Sequence, residues 1–469
     1  MAQVLIKGGR IITAVDDYQA DILISDGRIE AIGRSLAPDN AEVHEAGGLM
    51  VFPGGIDAHV HMETPMGNDV YTCDSFETGT RSAAFGGTTT IIDFAQQFHN
   101  DSPKAALDRR LAAAEPQCCV DYAFHVILTD VNPGSLGELP DLINQDGVSS
   151  FKLYMAYPGV LMVDDAAIFK TMRRVGVHGG MVNLHAENGV VIQALVEEAL
   201  EQGNTSPKYH QLTRPRLMEG EAAHRVIRIA ELAEVPVYIV HLSAKEALEA
   251  VVEARDRGIP AFAETCPHYL FLDDSAYDAP GFEAAKYVMT PPLRDHECQH
   301  ALWRGLRFDD LQLVATDHCP FCFNENPLGL LKSKQIGRDN FNRIPNGAPG
   351  VELRLTLFYA AEKQLFSKYG FSGTAALTPM PADVAVQLAT GQVEMAVIPF
   401  TNAIAAYTQG ASFQVVAGSG VEGLILVAKP EIKSFADLRG KKIATFQADT
   451  LDVVVYDYLK KNGMTYAAG

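Results

Sequence analysis

Apolar and polar positions repeat along this chain with two different periods. Between residues 3 and 50 the period is two. VLIKGGRIITA and ADILISDGRIEAIG read as strands, broken at Gly8-Gly9 and at Asp26-Gly27, the latter a strong hairpin signal. They predict a small sheet rather than a complete domain. From about residue 50 to 325 short buried runs (TTTIIDFA, CVDYAFHVIL, VSSFKLYMAY, GGMVNLHAEN, PVYIVHLS, IPAFAETCPH, LQLVATDHCP) alternate with helical stretches, among them 102–114, 164–175, 190–202, 220–233 and 244–257. Strand–helix alternation over this length predicts an α/β fold with a parallel sheet, and about eight such units predict a (β/α)8 barrel.

The stretch LMVFPGGIDAHVH organises the rest. After Pro53-Gly54-Gly55, apolar Ile56, Ala58 and Val60 alternate with polar Asp57, His59 and His61. On a strand, His59 and His61 project from one face about 7 Å apart. Two imidazoles there can grip a metal ion, or merely line a wet face. Polar residues also end the later strands: Lys152 follows Phe151, and His185, His241 and Asp317 close three more runs. In a parallel barrel these ends share one mouth, where the active site is built.

Composition bounds the function. The chain has 469 residues, 47% hydrophobic and 20% charged, which suits a soluble protein with a large core. No apolar run reaches the ~18 residues of a membrane span. The start lacks the pattern of a secretory signal, so the cytoplasm is expected. A formal net charge of −20 argues against nucleic acid as a partner. Seven scattered cysteines fit a reducing compartment, and Cys319-Pro-Phe-Cys322 is a lone CxxC.

HVH after GGID, then FKLYMAY, LHAEN, VHLSA, ETCPHYL, TPPLR, ATDHCPF and IPNGAPGVELR occur in that order. Through them, residues 3–355 closely resemble the dihydropyrimidinase and D-hydantoinase family of cyclic amidohydrolases. The resemblance implies a TIM barrel with a small N-terminal β-sandwich. It also implies two zinc ions per chain, acting on a small cyclic ureide or imide in pyrimidine catabolism. Paired ions about 3.5–4 Å apart can activate water and polarise a carbonyl. By the same resemblance His59, His61 and Asp317 hold one ion and His185 and His241 the other. Lys152, carboxylated by carbon dioxide, bridges both. Asp317 is also the general base, Tyr157 stabilises the oxyanion, and Tyr157, Thr290 and Asn346 meet the substrate. Thr290 stands where the family usually has serine.

Dihydroorotases place an arginine two residues after the second histidine, whereas Met62 and Glu63 follow His61 here. This favours dihydropyrimidines or 5-substituted hydantoins, with allantoin left open. Loops 63–76 and 154–163 should select the 5-substituent, through apolar Met66, Val70, Leu161 and Met162.

The resemblance stops near Arg354. Residues 356–469 instead resemble the first lobe of an ABC-transporter substrate-binding protein of the pyrimidine-precursor or sulfonate type. Ser434 to Asp437 reads as a capping box, 442–446 as a strand and 451–462 as a helix. Three regions are expected: 1–50, an incomplete sandwich; 51–355, the barrel; and 356–469, a partial periplasmic-binding-protein-like lobe. A junction of two genes explains this best, with a catalytically impaired fusion as the competing reading. The family's homo-tetramer is disfavoured by the altered C-terminus. Unpaired edges in the first sheet, and a last barrel helix drawn from 350–368, predict a marginal fold.

Overall fold

The computed structural model describes residues 3–66, 70–324 and 333–354, together with the backbone of four later strands. The chain divides into two compact units, Met1–Gly55 and Ile56–Gly469.

In the first unit β1 (Gln3–Ile12) pairs antiparallel with β2 (Asp17–Ser25), and β2 with β3 (Arg28–Gly33). Strands β4 (Glu42–Glu45) and β5 (Met50–Val51) join β1 in parallel. The Asp26-Gly27 turn is present, with both residues at positive φ as a two-residue hairpin of type I′ demands. Gly8-Gly9 differs from expectation. It does not end a strand but forms a bulge within β1, where Gly8 sits at φ +71° and its N–H donates to Asp21 at 2.7 Å. A Cβ on Gly9 would lie 2.6 Å from the Val51 side chain, so the packing of β5 requires glycine there. Ile11, Ala20 and Ile22 make a small core. Among the described residues the sheet edges are β3 on one side and β4 and β5 on the other, and the charged residues of β3 and β4 (Arg28 and Glu30, Glu42 and Glu45) discourage pairing with another chain.

The barrel strands follow chain order around the sheet: β6 (Gly55–Asp57), β7 (Thr88–Gln96), β8 (Asp121–Ile127), β9 (Ser150–Tyr154), β10 (Met181–His185), β11 (Val237–Ile239), β12 (Ala261–Thr265) and β13 (Leu313–Val314). A parallel bridge between Val60 and His318, with His61 N–H donating to the His318 carbonyl at 2.8 Å, links the first strand's extension to the last's. This is the nearly closed barrel that the alternation predicts. Its apolar strand positions, such as Ile91, Val126, Phe151, Leu184 and Ile239, are fully buried and pack against the surrounding helices.

Helix boundaries follow local chemistry. Helix α1 (Phe76–Phe85) starts behind a Ser75/Thr78 capping box. Ser102 caps α2 (Pro103–Ala114), with proline in the first turn, and Asn132 caps α3 (Pro133–Asn144). Asp164 caps α4 (Asp165–Gly176), accepting from Ala167 N–H at 2.7 Å. Helices α5 (Gly189–Glu201) and α6 (Lys208–Leu212) follow. Helix α7 (Arg216–Ala233) begins earlier than the apolar pattern suggests, because Pro215 starts it. Helix α8 (Lys245–Asp256), α9 (Pro267–Phe271) and α10 (His296–Arg307) complete the set before β13. No helix among the described residues is long and apolar enough to cross a membrane.

Beyond Arg354, β14 (Met395–Pro399) lies between β16 (Leu424–Ala428), antiparallel, and β17 (Ile443–Ala444), parallel, while β15 (Gln414–Ser419) flanks β16. Strand β17 falls within the predicted 442–446. The predicted helix 451–462, the 434–437 capping box and the last barrel helix beyond Arg354 lie outside the described residues.

Candidate active site

The barrel delivers polar side chains to one mouth, though not all from regular strand. Lys152 lies within β9 and His185 ends β10. His59 and His61 stand just past β6, on either side of bridged Val60, which preserves their alternation. His241 and Asp317 stand just past β11 and β13, not at strand ends as the apolar runs suggest. Both have left-handed backbone, φ 37° and 48°, as has Tyr157 at φ 64°. Such geometry is costly for residues other than glycine, and it recurs where a side chain must be aimed.

Asp317 Oδ1 lies 3.2 Å from His59 Nε2 and 3.2 Å from His61 Nε2. The His59 and His61 ring centroids are 5.2 Å apart, and His59 and His241 are 5.4 Å apart. His185 Nδ1 is 3.0 Å from His241 Nε2. One nitrogen or oxygen from each of His59, His241 and Asp317 falls within 4.8 Å of the others, a candidate His-His-Asp metal site. Lys152 Nζ is fully buried with no hydrogen-bond partner, facing the Phe94 and Tyr154 rings at 5.2 and 5.1 Å. His241 Nδ1 and His61 Nδ1 are likewise unpartnered. Buried polar atoms are ordinarily satisfied. Imidazole nitrogens and a carboxylate around such orphaned atoms are a donor set that fits divalent zinc.

Electrostatics agree with that reading. Burial lowers the Lys152 ammonium to about 8, despite the Asp317 and Glu264 carboxylates. Burial opposes ionisation of Asp317, but the His59 and His61 imidazoles, each 3.2 Å from its Oδ1, hold it well below the usual carboxylate range. Burial, then Lys152 and His185, drive His241 well below its ordinary value. Asp317 is therefore ionised and His241 neutral at pH 7, the states in which each can bind a cation, while at His59 burial and Lys152 are outweighed by the Asp317 and Glu264 carboxylates, which raise it above its ordinary value.

The substrate-facing candidates also gather. Thr290 and Asn346 neighbour the Tyr157 hydroxyl, while burial and the Glu187 charge push its pKa up to about 12. It is thus a neutral donor near pH 7. His210 sits behind Thr290: its Nε2–H donates to Met289 O at 2.9 Å, and Arg214 donates to its Nδ1 at 3.2 Å. Phe94, Ile127 and Tyr154 form an apolar cluster with Tyr157 and Leu161 packed on it. Met162 bridges to Tyr154, and Met66 is exposed. Of loop 63–76, residues 67–69 lie outside the described set.

Sequence reasoning missed the carboxylates behind the imidazoles. Glu264, next to last in β12, bonds His59 Nδ1, while Glu187 Oε2 lies 2.7 Å from His185 Nε2. Both stand in runs that otherwise look like strand end and loop. It also missed Asp93 and Arg110. Asp93 accepts from Met62 N–H at 2.7 Å, and Arg110 donates to Asp93 at 2.8 Å and to the Met62 carbonyl at 2.5 Å. The pair holds the turn that follows His61.

Comparison with known proteins places this geometry in context. D-hydantoinase from Streptomyces coelicolor is 50% identical over 365 residues, covering 77% of this chain and 76% of that protein. D-hydantoinase from Geobacillus stearothermophilus is 45% identical over 356 residues, covering 76% and 74%. The crystal structure of dihydropyrimidinase from Brevibacillus agri superposes with a TM-score of 0.74 at 42% identity, covering 77% of each chain. Residues 354–468 match a different family model, described as NMT1/THI5 like. That match coincides with the segment that resembles a substrate-binding lobe.

Proposed function

The chain belongs to the D-hydantoinase and dihydropyrimidinase family of cyclic amidohydrolases, and on that footing we propose that it is a zinc-dependent hydrolase opening dihydropyrimidines or 5-substituted hydantoins to N-carbamoyl amino acids. The observation that carries the proposal is Lys152. An ammonium buried without an acceptor, among four imidazoles and a carboxylate, is unfavourable as it stands. Carboxylation replaces it with an anion whose two oxygens suit a pair of cations. His59, His61 and Asp317 would hold one ion, His185 and His241 the other, with carboxylated Lys152 between them. When bound, the pair supplies a strong nucleophile at neutral pH and a Lewis acid for the carbonyl.

The protein's own groups do the rest. Asp317, kept ionised beside His59, accepts the proton of the attacking water and returns it to the leaving ring nitrogen. The ring C–N bond breaks as the new C–O bond forms, so water is consumed and an N-carbamoyl amino acid is released. Tyr157, kept neutral, donates its O–H to the carbonyl oxygen as negative charge develops there. Thr290 and Asn346 position the ureide. The cluster of Phe94, Ile127, Tyr154 and Leu161 excludes water and offers an apolar wall to a 5-substituent. Seven cysteines without a disulfide fit a cytoplasmic setting.

Labelling with 13C-bicarbonate tests the carrying observation. A carbamate carbon signal is expected in the native protein and none in Lys152→Met, which should also lose turnover. A native protein without that signal would overturn the proposal.

A second reading rests on the match over residues 354–468. In it the chain joins a hydrolase barrel to part of a substrate-binding protein, and the altered C-terminus impairs catalysis. Calorimetric titration of the full chain with a pyrimidine that the barrel does not hydrolyse tests it. Heat of binding supports the reading and its absence opposes it.

A further inference from the structure

Lys334 is only 3% exposed, a second buried lysine beside fully buried Lys152, although lysine is rarely buried without a partner. Its Nζ donates to the Val288 carbonyl at 2.7 Å and to the Pro345 carbonyl at 3.1 Å. Val288 and Pro345 closely precede Thr290 and Asn346. The Val288 carbonyl accepts a second bond, from Gly347 N–H at 3.0 Å. Lys334 is itself held from the third side, since its backbone N–H donates to the Cys322 carbonyl at 2.8 Å and Ser333 bridges to Cys322. The 345–348 segment is threaded tightly: Cys319 N–H donates to the Ala348 carbonyl at 3.0 Å, and a Cβ on Gly347 would lie 2.1 Å from the Cys319 carbonyl oxygen. With this little slack, a shift at Pro345 is transmitted to Asn346.

We propose that Lys334 is a positioning residue for substrate binding, its side-chain ammonium or amine tying together the two backbone segments that carry Thr290 and Asn346. The inference rests on the assignment of those two residues to the ureide. Lys334 touches no metal-side residue and no reacting atom, so its removal should act on binding before it acts on chemistry. Burial lowers its pKa to about 7, with only the Cys319 and Cys73 thiols opposing, and either protonation state retains enough N–H groups for both carbonyls.

Steady-state hydrolysis of dihydrouracil by the full chain tests this with Lys334→Met, which keeps the stem and removes the donors, and Lys334→Gln, which keeps one donating group. Loosened positioning should raise KM about tenfold in Lys334→Met, with kcat within about threefold of native. Bound metal should be unchanged, and Lys334→Gln should fall between the two. A native-like KM in Lys334→Met, or loss of metal and kcat together, would overturn the proposal. So would failure of both variants to fold, since the lysine would then serve the whole fold. If the native chain itself does not turn over, the enzyme assignment fails instead, so the two failures are distinguishable.

Discussion

Glu264 Oε1 lies 2.5 Å from His59 Nδ1, across 205 residues of chain. The same oxygen accepts from His241 N–H at 3.3 Å, and Oε2 accepts from the Tyr238 hydroxyl at 2.7 Å. One buried carboxylate thus sets the tautomer of His59, directing its Nε2 toward Asp317, and fixes the strained backbone of His241. Carboxylates behind ligating imidazoles raise their basicity and orient them. Glu264→Gln should therefore weaken metal retention by about 10–100-fold while the barrel stays folded. Metal content after dialysis against graded chelator checks this, and native retention would refute it.

Tyr157 predicts a different signature. Its left-handed backbone sets the direction of the side chain, whose hydroxyl lies beside Thr290 and Asn346. Tyr157→Phe should lower kcat by about 10²–10³, the cost of one oxyanion donor, and leave metal content unchanged. Single-turnover rates beside metal analysis separate the two. Loss of metal in the variant would place Tyr157 in the wrong role.

Asp93 and Arg110 carry a stability prediction. Asp93 is fully buried and the Arg110 side chain is 12% exposed, with their atoms 2.8 Å apart. Removing one partner strands the other's charge, so Arg110→Met should destabilise the barrel by about 3–5 kcal/mol. The double variant Asp93→Asn/Arg110→Met should cost less than Arg110→Met alone. Urea unfolding midpoints at constant m-value check both, and strictly additive losses would contradict the pairing.

The barrel is legible in the sequence because short buried runs alternate with helical stretches, and the site because polar residues stand within or just after several of those runs. His59, His61, Lys152, His185, His241 and Asp317 can be read this way one at a time. The rest depends on contacts between distant segments. Nothing near Glu264 in AFAET reports a histidine 205 residues away. Glu187, placed after His185, looks like a loop acid until the fold turns it back on the imidazole. Nothing in the sequence around Lys334 reports its burial, since its acceptors are backbone carbonyls with no sequence signature. Gly8-Gly9 reads as a break because a bulge and a turn use the same residues, and only the Asp21 and Val51 contacts decide between them.

The most direct test of the metal-dependent hydrolase is elemental analysis of the full chain together with its turnover of dihydrouracil and hydantoin. The account predicts two zinc ions per chain and ring opening of at least one of these substrates, with activity lost to chelator and restored by zinc. A folded chain that takes up no metal would contradict it.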